Sequence, residues 1–135
     1  MHENEIGTIV IDCGFQVHKT LGPGLLESVY KISLAHELEG RGLHVDREKP
    51  IEIQYKDVTF EEGFRADLVV ENKVIVELKS VEELHPVHGK QLLTYLRLSG
   101  CRLGYLMNFG SPLFKTGVNR VVNQIDQNIG ETARG

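Results

Sequence analysis

The chain has no tryptophan and only two cysteines, Cys13 and Cys101, which lie far apart. Neither sits at a zinc-ligand spacing, and at most one bridge can form, so no disulfide framework and no structural zinc knuckle is expected. Two free thiols fit a reducing, cytoplasmic setting. No apolar run approaches the ~18–20 residues that a membrane span needs, so no membrane association is expected. Positive charge is not in excess. There are 15 Lys+Arg against 19 Asp+Glu, a net charge of −4. A broad basic footprint for nucleic acid is therefore missing. Any site for a polyanion must be local, or be completed by a bound cation. The first residues, Met1-His2-Glu3-Asn4-Glu5, are polar and acidic and lack the basic-then-apolar pattern of a secretory leader. Internal repeats and low-complexity blocks are also absent.

What is present is an ordinary globular balance, 41% hydrophobic and 25% charged over 135 residues. That length suits one domain. Residues 1–123 read as that domain, and residues 124–135 as a polar, weakly ordered tail. Ile6, Val10, Cys13 and Val17 recur at helical spacing and predict a helix over about residues 5–20. Gly22 and Pro23 then punctuate the chain, Gly22 suiting a helix end and Pro23 the first turn of a second helix over about residues 23–39. After Gly40-Arg41-Gly42 the period changes to two. Ile51, Ile53 and Tyr55 alternate with polar residues as in a strand, with Leu43 and Val45 able to open it and Pro50 restricting it to an edge or a late start. Further strands are expected over residues 64–70, 74–79 and 103–109, and a helix over residues 86–99 ended by Gly100. The order α-α-β-β-β-α-β predicts an α/β (α+β) fold, a mixed β-sheet flanked by helices.

The hairpin over residues 64–79 carries most of the chemistry. Side chains alternate faces along a strand. Phe64, Ala66, Leu68 and Val70 are expected on one face of the first strand, and Val74, Val76 and Leu78 on one face of the second. These sets must bury together, which fixes the parity of the pairing. A three-residue loop, Glu71-Asn72-Lys73, satisfies it, with Asn72 tolerant of the left-handed conformation. Val70 then pairs with Val74, Leu68 with Val76, Asp67 with Glu77, and Arg65 with Lys79. Like charges directly opposite destabilise a sheet. A cation between Asp67 and Glu77 would relieve them, and two or three carboxylates with water make a Mg²⁺ site. Lys79 would then stabilise developing negative charge or orient a water. The same alternation also fits a half-solvated hairpin on which Arg65, Asp67, Glu77 and Lys79 interleave as ordinary surface charges.

Supporting positions carry two readings each. If helical, Gly24, Glu27 and Tyr30 share a face. Glu27 could add a carboxylate to the site and Tyr30 could hydrogen-bond one, while Gly24 would permit a close backbone approach. Alternatively, Glu27 favours the helix dipole and Tyr30 belongs to the core. His88, Gln91 and Tyr95 form a polar stripe along the later helix, able to line a site or simply to face solvent. His18 reads equally well as a core histidine.

Gly24-Leu25-Leu26-Glu27-Ser28-Val29-Tyr30 resembles the signature of the GxxExxY family. Asp67 followed by Glu77-Leu78-Lys79 is similar to the D…ExK core of the PD-(D/E)XK nuclease superfamily, to which that family is assigned. Gln91 and Tyr95 resemble the Q-x-x-x-Y element of its RecB-like members. The likeness extends over about residues 6–122. It departs at one point, where Ala66 replaces the proline of the "PD" half. The resemblance implies a restriction-endonuclease-like α-β-β-β-α-β core. It implies that Asp67 and Glu77, with Glu27 as a further acidic residue, bind Mg²⁺ or Mn²⁺, and that Lys79 assists attack of water on a phosphodiester. The catalytic set is then Glu27, Asp67, Glu77 and Lys79, with Tyr30, His88, Gln91 and Tyr95 supporting it. The expected function is a divalent-metal-dependent nuclease acting on nucleic acid, with DNA as the expected substrate. The alternative is a nuclease-like module that binds nucleic acid or a partner with little or no turnover. A homodimer or a partner protein is open in either case.

Overall fold

Ile6, Val10, Cys13 and Val17 are the buried face of helix α1 (Glu3–Leu21) in the computed structural model, which describes residues 1–124. The helix is capped at both ends. His2 accepts a bond from the Asn4 N–H through its ring, Glu5 accepts one from the His2 N–H, and Gly22 turns the chain out at φ 74°.

Helix α2 (Glu27–Gly40) begins four residues later than Pro23 suggests. Gly24 has φ 101° and Leu26 is extended, so residues 23–26 form a loop rather than a first turn. Tyr30 fastens this loop. Its hydroxyl donates to the Gly22 carbonyl at 2.5 Å and accepts from the Leu25 N–H at 3.0 Å. Gly24 is thus outside the helix, and a side chain there would meet nothing within 4 Å. Its glycine serves the backbone angle and not a close approach.

Strands β1 (Val45–Tyr55), β2 (Val58–Val70) and β3 (Val74–Lys79) follow, then helix α3 (Pro86–Ser99), strand β4 (Leu103–Asn108), a 3₁₀ turn (Phe114–Gly117) and strand β5 (Val118–Val122). The expected element order is found, and β5 extends the sheet by one strand. The sheet order is β1-β2-β3-β4-β5. Only β3 and β4 are parallel, joined across the sheet by α3, so the sheet is mixed. Pro50 lies in β1, an edge strand, where its missing N–H costs little.

Each face of the sheet has its own core. Helices α1 and α2 cover Leu68, Val70, Val74, Val76, Leu78 and Met107 with Val10, Tyr30, Leu34 and Leu38. On the other face Leu92 and Leu96 of α3 pack on Val69, Ile75 and Leu106. Full burial of each such aliphatic side chain contributes about 1.5–3 kcal/mol.

The three-residue hairpin loop forms as expected, with Val70 opposite Val74 and Leu68 opposite Val76. Glu71 joins Asn72 in the left-handed region, at φ 54° and 56°. The expected common face of β2 is not found. Phe64 and Ala66 pack with the α3 core, whereas Leu68 and Val70 pack with the α1–α2 core. Between them the strand turns over at Asp67. Opposite it in β1, Glu48 adopts φ 53°, and the β1–β2 ladder skips this pair between Arg47–Leu68 and Lys49–Ala66. The register is unchanged across this point and shifts further along, between Ile51 and Ile53. The expected tail, apart from Gln124, lies outside the described residues.

Candidate functional site

The β2–β3 ladder runs from Val70–Val74 to Leu68–Val76 and stops. Past that point side chains take over from backbone. The Glu77 carboxylate accepts from the Asp67 N–H at 2.9 Å, and the Asp67 carboxylate accepts from the Leu78 N–H at 2.9 Å. Asp67 and Glu77 are therefore neighbours, each holding the other's strand. Arg65 does not reach Lys79. It turns to Glu62, which it meets with two bonds at 2.8 and 2.9 Å.

Packing two half-buried carboxylates together has an electrostatic consequence. Burial and the adjacent Asp67 charge push the Glu77 carboxyl up to about 8. The ammonium of Lys79 offsets this only in part. Asp67 has its own cation. Lys31 on α2 places Nζ 3.5 Å from Asp67 Oδ1 and also bonds Glu48. Burial acts to lower the Lys31 pKa, but the Glu48 and Asp67 carboxylates outweigh it and raise it.

Lys79 sits at the end of β3, opposite Asn108 in the parallel ladder. Its carbonyl accepts from the Phe109 N–H at 2.8 Å. The buried Asn108 amide then clamps the segment that follows. Its oxygen accepts from Val81 and Gly110 N–H at 3.0 Å, and its NH₂ donates to the Val81 carbonyl at 2.9 Å. Ser80 donates to the Leu25 carbonyl at 2.5 Å and ties this segment to the loop before α2. A cleft of about 700 Å³ opens there, lined by Gly24, Leu25, Glu27, Ser80 and Gly110.

The other expected residues fall into two groups. Tyr95 on α3 stacks on Phe64 with ring centroids 3.9 Å apart, and burial together with the Glu77 and Asp67 charges raises its phenol pKa. His88 accepts from the His85 N–H at 3.2 Å at the start of the same helix. Burial lowers its pKa, Lys79 and His85 add to that, and Glu27 opposes it. Glu27 is exposed on the first turn of α2, on the cleft wall. Among the described residues no group of three or more His, Cys, Asp or Glu side chains converges, so Asp67 and Glu77 stand as a pair without Glu27. Gln91 is exposed, one turn before Tyr95. Tyr30 does not touch a carboxylate, because its hydroxyl is engaged by Gly22 and Leu25. Its ring is fully buried and stacks on Phe109 at 4.6 Å. His18 is a core residue bonded to the Ser111 carbonyl at 2.8 Å.

Lys31 and Glu48 escape sequence reasoning. Lys31 follows Glu27 by one helical turn, which is the single local signal available. Glu48 carries none, because its place depends on the pairing of β1.

The donor set fits a divalent cation that prefers oxygen. Two carboxylates meet, and the ends of β2 and β3 hold them fixed. The described residues contain no helix long and apolar enough to cross a membrane.

A family model for the PD-(D/E)XK nuclease superfamily matches residues 4–121. No curated protein matches the chain.

Proposed function

The chain belongs to the PD-(D/E)XK nuclease superfamily, and on that premise we propose that it hydrolyses phosphodiester bonds in nucleic acid with Mg²⁺ or Mn²⁺. DNA is the substrate class we assign, following the resemblance. Within the superfamily, Gly24, Glu27 and Tyr30 support membership of the GxxExxY family. The observation that carries the reading is the Asp67–Glu77 pair, cross-bonded between two strands, with Lys79 two residues further along β3.

In this reading Asp67 and Glu77 hold the metal. A divalent ion held there would supply Lewis acidity to activate water and would offset phosphate charge. Lys79, its backbone fixed by Asn108 and Phe109, supplies a positive charge to the phosphate as negative charge develops. Glu27, on the first turn of α2, positions water or a further cation. Tyr95, Gln91 and His88 line the α3 side and contact the substrate backbone. Tyr30 supports Glu27 by holding the loop in front of it.

The test is cleavage of DNA and RNA substrates with Mg²⁺, by the parent chain and by Asp67→Ala and Glu77→Ala variants that remain folded. Cleavage by the parent alone is expected. If both variants cleave as well as the parent, the reading is wrong. Scission of both strands would call for a second active site, which a symmetric dimer supplies.

One observation favours a second reading, a nuclease-like binding module with little turnover. Lys31 already neutralises Asp67, as a structural ion pair would. Metal and nucleic-acid binding without hydrolysis, across single-stranded, duplex and branched substrates, would select it.

A further inference from the structure

Two carboxylates share the ammonium of Lys31, and only one of them belongs to the pair assigned above to the metal. Lys31 Nζ lies 3.5 Å from Asp67 Oδ1 and bonds Glu48. Lys31 and Asp67 are well covered, with side chains 17% and 20% exposed, whereas Glu48 is 43% exposed. The inner partner is thus Asp67 and the outer partner is Glu48. Glu48 occupies the β1 position opposite Asp67, where the ladder skips a pair. Its φ of 53° is a conformation that few residues other than glycine adopt.

We propose that Lys31 is the tethered counter-ion of the metal-free site, holding Asp67 until a divalent cation arrives and then withdrawing to Glu48, so that Lys31 and Glu48 together set the site's metal affinity. This rests on the metal reading of Asp67 and Glu77. The reason is Coulombic. A divalent cation on Asp67 would sit within a few ångströms of the Lys31 ammonium, and two cations at that separation repel strongly where water is scarce. Lys31 has a flexible stem, and its second carboxylate already lies on the solvent side. Withdrawal therefore keeps its charge partnered. Lys31 acts as a positioning residue, since it touches a metal ligand and not the substrate.

The experiment is a Mn²⁺ titration of the metal-free full chain at fixed pH and ionic strength, followed by calorimetry and by the paramagnetic resonance of free Mn²⁺. Lys31→Met removes the competing charge and is expected to bind about tenfold tighter. Lys31→Arg keeps the charge and is expected to keep the parental affinity within about threefold. Glu48→Gln is exposed and leaves Lys31 with Asp67 alone, so it is expected to bind about threefold weaker or less well still. Should Lys31→Met fail to fold, Glu48→Gln decides alone.

Parental binding that Lys31→Met leaves unchanged or weakened, or that Glu48→Gln leaves unchanged or tightens, overturns the proposal and leaves the metal reading standing. Binding gained by Lys31→Met where the parent shows none supports it. Binding by neither protein overturns both.

Discussion

Asp67 and Glu77 each hold the other's strand. Each carboxylate accepts a 2.9 Å hydrogen bond from the backbone of the opposite strand, just where the β2–β3 ladder ends. The arrangement replaces the backbone ladder with side-chain bonds and keeps the two acids side by side. It also sets two acids against each other, and Glu77 keeps its proton up to about pH 8 as a result.

Asp67→Asn keeps the shape that accepts the Leu78 N–H bond but removes the charge. Metal-dependent cleavage is expected to fall by about a thousandfold or more. The circular dichroism spectrum and cooperative melting should survive. Cleavage near the parental rate would remove Asp67 from the proposed chemistry.

Glu77 predicts a pH dependence with a definite sign. Its carboxyl titrates at about 8 in the folded chain against an ordinary value of 4.5. Between those limits the folded state holds a proton that the unfolded state has lost. Stability from this group is full below the lower limit and is lost as pH rises through about 8. The melting temperature of the metal-free parent should therefore fall over this window by about 10 °C or more relative to Glu77→Gln. Melting curves of the two proteins across the window measure the difference, which isolates Glu77 from the opposite contribution of His88. Parallel curves would count against the coupling.

Tyr30→Phe removes two hydrogen bonds, to the Gly22 carbonyl and from the Leu25 N–H, and keeps the ring stacked on Phe109. A loss of about 1–2 kcal/mol is expected in urea unfolding. Amide exchange should quicken over residues 22–26 and less so in α1. An unchanged loop would show that Tyr30 acts through its ring alone.

Asn108→Ala leaves the Val81 N–H, the Val81 carbonyl and the Gly110 N–H without their partner. The expected cost is about 2–4 kcal/mol, with faster exchange at Val81. Cleavage should weaken as well, because this clamp follows directly on Lys79.

Much of this fold is legible where local chemistry punctuates it. Pro86 at the first turn and Gly100 in the left-handed cap bound α3 at both ends, and its expected limits are those observed. The β2–β3 loop was readable from parity, since one alternative buries charge. Other features depend on distant parts of the chain. Pro23 suits a helical first turn, yet Gly24 takes an angle that no helix allows, so α2 starts at Glu27. Strand β5 is short and half-exposed, with no alternation strong enough to mark it. Phe64 and Ala66 pack on the face opposite to Leu68 and Val70, and nothing within residues 58–70 encodes that change. The pairing of Lys31 with Glu48 and Asp67 joins a helix to two strands, and local patterns cannot place such a triad.

The most direct measurement is a calorimetric titration of Mg²⁺ and Mn²⁺ into the metal-free parent beside Asp67→Ala. Saturable binding in the parent that disappears in the variant is the expected result. Binding of equal strength in both would contradict a metal site built on Asp67 and Glu77.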